Sequence, residues 1–144
     1  MVISRQFVKR LWFAVLKYGP AFCIMTAIFM ASNTPSKIIP DLGRIDFLVK
    51  KGGHLMGYCL LGLCIVRGAG QPVKRTIFWS LVFTFFFAIS DEFHQSFVPG
   101  RNSSFLDIGI DMSGCGVGLY FYSKNGWLKK IVHLYPNIIK KRGH

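Results

Sequence analysis

The chain has 144 residues, enough for one domain. Hydrophobic residues make up 51% and charged residues 17%, with 14 Phe, a net charge of +12 and a mean hydropathy of +0.39. That composition excludes a disordered chain, a nucleic-acid-binding tail and a disulfide-rich secreted scaffold, and it leaves an all-α integral membrane protein.

A helix needs about 20 residues to cross the hydrocarbon core. Residues 1–14 read as a basic amphipathic segment, in which Phe7 to Leu16 leads into a first span from Val15 to Ser32. Asn33-Thr34-Pro35 and Pro40 break the chain after it. A second span runs from Asp46 to Val66, followed by Gly68, Gly70 and Pro72. A third runs from Thr76 to Val98 and stops at Pro99-Gly100. A fourth runs from Phe105 to Tyr122. Residues 15–123 thus form a bundle of four transmembrane helices with short loops. The basic start, apolar run and Ala31-Ser32 mimic a cleaved signal sequence, but three further spans favour an insertion signal that is kept. Residues 124–144 form a basic tail in which Trp127, Leu128, Ile131, Val132, Leu134 and Tyr135 mix with Lys129, Lys130 and His133, as in a segment lying on a membrane surface, until Pro136 breaks it. A disordered tail is the alternative.

Cys23, Cys59, Cys64 and Cys115 all fall in apolar stretches and form no CxxC pair, so they read as buried small hydrophobes. The charges fall into two groups. The termini and the second loop carry 13 Lys and Arg and no acid, whereas the first and third loops and the adjoining helix ends carry Lys37, Arg44, Lys50, Lys51 and Arg101 with all six acids. The positive-inside rule places both termini in the cytoplasm of a multi-pass protein of the cytoplasmic membrane, and the acids outside. No nucleic acid is expected as a partner, because the basic residues lie between apolar runs and form no single stripe.

Polar residues in membrane helices are expensive, and here they gather at the outer ends of three spans. Lys51, His54 and Tyr58 share one face of the second at i, i+3 and i+7, with Gly52, Gly53 and Gly57 beside them to admit another backbone or a substrate. Lys51 snorkelling to headgroups and Tyr58 in an aromatic belt would be the plainer reading, which leaves His54 unexplained. Asp91, His94 and Gln95 share a face of the third, beside Glu92. Arg101 is the single base of the next loop, placed to clamp a phosphate or carboxylate or else to pair with Asp91, Glu92 or Asp107. Ser104 and Asp107 resemble a capping box, and Asp111 lies one turn deeper on the same face. Gly114 and Gly118 continue that face as a small-xxx-small surface for another helix.

In an antiparallel bundle these faces can converge. Asp91, Glu92 and His94 are then the candidates for acid/base work, with Lys51, His54, Tyr58, Gln95, Arg101, Asp107 and Asp111 as ligand-binding candidates. A divalent metal on His54, His94 and the carboxylates is a weaker alternative, since neither HExxH nor another ligand spacing is present, and no cofactor is indicated. A buried polar network that only fixes the bundle is the structural alternative. A carrier is disfavoured by the lack of inverted repeats, unless the chain forms a homo-oligomer.

The block Ser90-Asp91-Glu92-Phe93-His94-Gln95, then Pro99-Gly100-Arg101, then Asp107-xxx-Asp111-xx-Gly114 resembles the signature of the VanZ-like family. Lys51-xx-His54-xxx-Tyr58 and Ser32-Asn33-Thr34-Pro35 resemble it too, and the likeness covers about residues 10 to 123. Asp111 departs from a position often held by Asn in that family. The resemblance implies a membrane protein of the kind associated with low-level teicoplanin resistance. The expected partners are therefore membrane lipids and an amphiphilic envelope ligand, such as a lipid headgroup, a lipid-linked wall precursor or a glycopeptide.

Overall fold

The computed structural model describes residues 4–34, 44–69, 73–101 and 103–133, apart from the side chains of residues 44–47 and 73. The breakers Pro35, Pro40, Gly70 and Pro72, the loop charges Lys37 and Asp41, the side chains of Arg44 and Asp46, and the tail from Leu134 onward, with Pro136, Lys140, Lys141 and Arg142, lie outside the described residues.

Within them the chain is helical. Helix α1 (Arg5–Ser32) joins the amphipathic start and the first apolar run into one rod, capped by Ser4, whose Oγ accepts from the Phe7 amide at 3.2 Å. It continues through Pro20, which has no N–H to give to the carbonyl of Leu16. The Arg67 guanidinium supplies that missing donor at 3.2 Å and so ties α1 to the end of helix α2 (Arg44–Ala69). Helix α3 (Val73–Gln95) ends three residues before Val98, because residues 96–100 turn over, with Gly100 at φ 78°. Helix α4 (Phe105–Lys124) starts at Ser104, and residues 126–133 form a short fifth helix, α5, whose first amides are capped by Asn125.

The most extensive helix pair is α2 with α4. The stripe of small residues makes it: a Cβ on Gly114 would collide with the carbonyl of Leu55, and one on Gly118 would sit 2.9 Å from the carbonyl oxygen of Cys59. Two apolar clusters form the interior. Ala21, Ile28, Tyr58, Leu61 and Ala88 lie in one, Val66, Cys115, Leu119 and Tyr122 in the other.

Burial runs opposite to that of a water-soluble domain. Ser32, Ser80, Thr84, Asp91 and Asp111 are fully buried, while Phe22 is 70% and Phe86 64% exposed. α1, residues 48–69 of α2 and residues 74–95 of α3 are each long and apolar enough to cross a bilayer. An apolar outside around a polar inside fits lipid as the solvent, and this is a multi-pass membrane protein. Cysteine burial is uneven: Cys115 is buried and Cys59 and Cys64 partly so, but Cys23 is exposed beside Phe22.

Candidate functional site

The ends of α1 and α3 meet the starts of α2 and α4 at one end of the bundle, here termed the acidic end. Three separate polar joints form there.

The first links α1 to α3. Asp91 is 1% exposed, and its Oδ2 accepts from the Ser32 hydroxyl at 2.8 Å and from Gln95 Nε2 at 3.1 Å. Gln95 also donates to Ser32 Oγ at 3.1 Å, which closes a three-membered ring of buried polar groups. The second links α2 to α4, one turn apart on each helix: Lys51 pairs with Asp107, and His54 Nδ1 lies 3.3 Å from Asp111 Oδ1. The third links α3 to the start of α4. Glu92 Oε2 accepts the Ser104 amide at 3.0 Å, while Ser104 Oγ accepts the Leu106 amide at 3.2 Å. Glu92 thus caps α4 from another helix and places a carboxylate at its positive end. Asp107, expected as a capping-box residue, points to Lys51 instead.

These joints do not use up the acceptors. Asp91 Oδ1, Glu92 Oε1, Asp111 Oδ2 and the Tyr58 hydroxyl are buried and have no hydrogen-bond partner among the described residues. Tyr58 stacks with His54 at a ring-centroid distance of 6.3 Å and is completely buried. In a low-dielectric interior such a surplus is costly.

The structure also separates residues that their helical spacing groups together. His94 meets α1 as Asp91 does but at other residues: its ring stacks on Phe29 at 4.2 Å, and its Nε2 lies 3.3 Å from Asn33 Oδ1. Arg101 pairs with no carboxylate among the described residues. It donates through Nη2 to Ala31 O at 2.7 Å and through Nε to Thr34 O at 3.3 Å, and so closes the end of α1. Among the described residues, no three His, Cys, Asp or Glu side chains converge in a way that could hold a metal ion.

Beside the joints, a cleft of about 390 Å³ opens between α1 and α2. Ile24, Ala27, Ile28 and Ala31 form one wall and Val49, Gly53 and Gly57 the other, while Thr34, Lys50, His54 and Arg101 line its polar end. Its size falls in the range of small-molecule sites. His54 belongs to both features: it lines the cleft and contacts Asp111. The VanZ/LLP1 family model matches residues 4–130, which takes in every joint and the cleft. The chain belongs to the VanZ/LLP1 family. No curated protein and no solved structure matches it.

Two parts of this VanZ/LLP1 site escape a reading of the sequence. Ser32 anchors Asp91 but appears in the sequence only as the close of an apolar run and the start of the Ser32-Asn33-Thr34-Pro35 exit, with nothing to pair it with Asp91. The cleft arises because Ala27 and Ala31 face Gly53 and Gly57 across two helices; the glycines signal a close approach in the sequence, but the alanines that complete the wall do not.

Proposed function

We propose that this VanZ/LLP1 protein binds the polar head of an amphiphilic envelope ligand at the acidic end of its bundle. In this reading α4 is the fourth span, both termini are cytoplasmic, and the acidic end faces outward across the cytoplasmic membrane. The basic excess at the other end supports that orientation.

The observation that carries the proposal is the position of His54. It connects a lateral apolar cleft to buried carboxylates that retain unused oxygens. An amphiphile needs those two environments side by side. Asp111 orients the His54 ring through Nδ1, and the ring presents its remaining edge to the head. If the head is chemically altered, His54 with Asp111 and Asp91 is the acid/base group. Glu92 is engaged in capping α4, and His94 lies over Phe29. Lys51 with Asp107, Gln95 with Asp91, and Arg101 with α1 hold the site's walls in place. A lipophilic glycopeptide such as teicoplanin is one candidate ligand.

A second reading has specific support, because the joints link α1 to α3, α2 to α4 and α3 to α4 and could serve packing alone. The two readings separate in lipid and metal analysis of the full chain purified in mild detergent. Under the proposal, Asp91→Asn and His54→Gln lose a co-purified lipid that the wild type retains, with unchanged yield. Identical lipid profiles together with lowered thermal stability would refute it.

A further inference from the structure

Among the described residues, the charged and titratable side chains at the polar end of the α1/α2 cleft are all basic. Lys50, His54 and Arg101 line it, and among the described residues no acid does, although Asp91, Glu92, Asp107 and Asp111 lie at the same end of the bundle. The described carboxylates face the α1/α3, α2/α4 and α3/α4 joints, where Asp107 takes Lys51, while Lys50, His54 and Arg101 border the cleft. Such sorting gives an anion a place that the acidic cluster alone would repel.

The rest of the cleft suits an apolar chain. From Ala31 to Ile24 it descends about 10 Å along α1, at 1.5 Å per residue. Ala27, Val49 and Gly53 are exposed, so it opens sideways onto the surface that the apolar exterior assigns to lipid tails. It has room for much of one acyl chain and not for a diacyl lipid's pair. Three donors at the head and an apolar slot below them select a phosphate on a hydrocarbon chain over a neutral sugar or a cationic peptide.

We infer that the cleft between α1 and α2 is a binding site for an anionic glycerophospholipid of the surrounding bilayer, with one acyl chain between the helices and its phosphate at Lys50, His54 and Arg101. This deepens the function proposed above and rests on it for the placement of the head beside His54. The surrounding bilayer is the source committed to, because the slot opens laterally into it.

Glycine at position 53 gives a clean test. A Cβ there meets nothing within 4 Å, nor does one at Gly52, which lies outside the cleft. Full-length protein is equilibrated with phosphatidylglycerol, phosphatidylcholine or a polyprenyl phosphate and examined by native mass spectrometry. Wild type retains phosphatidylglycerol over phosphatidylcholine by roughly tenfold, because the choline ammonium cancels the phosphate's charge and is itself repelled by the cations at the cleft. Gly53→Leu fills the slot and loses that retention, while Gly52→Leu keeps it. Lys50→Gln retains a lipid but loses the preference for phosphatidylglycerol. Equal retention of the two phospholipids by wild type, or full retention by Gly53→Leu, overturns the inference. A tenfold preference for polyprenyl phosphate overturns it in favour of an isoprenoid carrier. Loss of phosphatidylglycerol in Gly53→Leu, with no effect of Asp91→Asn, would uphold the cleft and remove the role given to the acidic joints.

Discussion

The two ends of the bundle handle buried polarity differently. At the basic end inward polar side chains close on neighbours, and among the described residues a buried hydroxyl without a partner, that of Thr84, stands midway along α3. Arg67 serves the carbonyl that Pro20 leaves open, Tyr122 and His133 share a hydrogen bond of 2.8 Å, and Lys129 donates to Ser123 O at 2.7 Å. At the acidic end the joints are as numerous, yet oxygens of Asp91, Glu92, Asp111 and Tyr58 are left over. Packing requires satisfied groups and gains nothing from surplus ones. The basic end therefore reads as joinery, and the acidic end carries in addition the surplus on which the proposed site rests.

Substitutions can break or sharpen that contrast. The largest effect belongs to the seam both ends share. Gly114→Leu drives a side chain into the backbone of Leu55 and should cost about 3 kcal/mol in detergent-titrated unfolding, while Gly109→Ala, which meets nothing, stays within about 0.5 kcal/mol. Next comes Arg67→Met at the basic end. It strands the Leu16 carbonyl and should cost about 2 kcal/mol. Combined with Pro20→Ala, which restores a backbone N–H to that carbonyl, the same change should cost less, and an additive double mutant would contradict this account of the joint.

Tyr122→Phe should cost about 1 kcal/mol and leave bound lipid unchanged, whereas Asp91→Asn should cost no more and remove it. If both variants affect lipid alike, the contrast between the ends disappears. The smallest expected effect is with pH. Burial, and then the charge of Arg67, hold the His133 imidazole below its ordinary range. The unfolded chain takes up the proton first, so stability is full above the ordinary histidine value, near 6.5, and declines as pH falls through the lower folded value. His133→Gln should flatten that slope in thermal melts run from pH 8 to 5.

Much of this was legible in the sequence, and what was not has a common cause. Apolar runs and breakers locate the helices. Spacing puts Lys51, His54 and Tyr58 on one face and Asp107, Asp111, Gly114 and Gly118 on another, and the structure packs those two faces together. Helical spacing says which residues share a face but not what each meets across the interface. It therefore joins His94 to Asp91, where the structure turns His94 onto Phe29. It offers Arg101 to the acids, where the α1 carbonyls take it. It treats Glu92 as a site carboxylate, where the orphaned amides of α4 claim one of its oxygens. The end of α3 also comes early, because backbone hydrogen bonding over residues 96–98 switches from helix to turn before the proline that signals the stop.

The central claim is that the acidic end carries polarity for a ligand and not for folding. Replacing the α2/α4 pair with apolar side chains, His54→Met together with Asp111→Leu, addresses it directly, since such exchanges of buried ion pairs are neutral or stabilising when packing is their only role. Unfolding and phosphatidylglycerol retention would be measured on the same purified double variant. The account predicts an unfolding midpoint at or above that of the wild type, with the retained lipid gone. A midpoint that falls sharply while the lipid stays bound would contradict it.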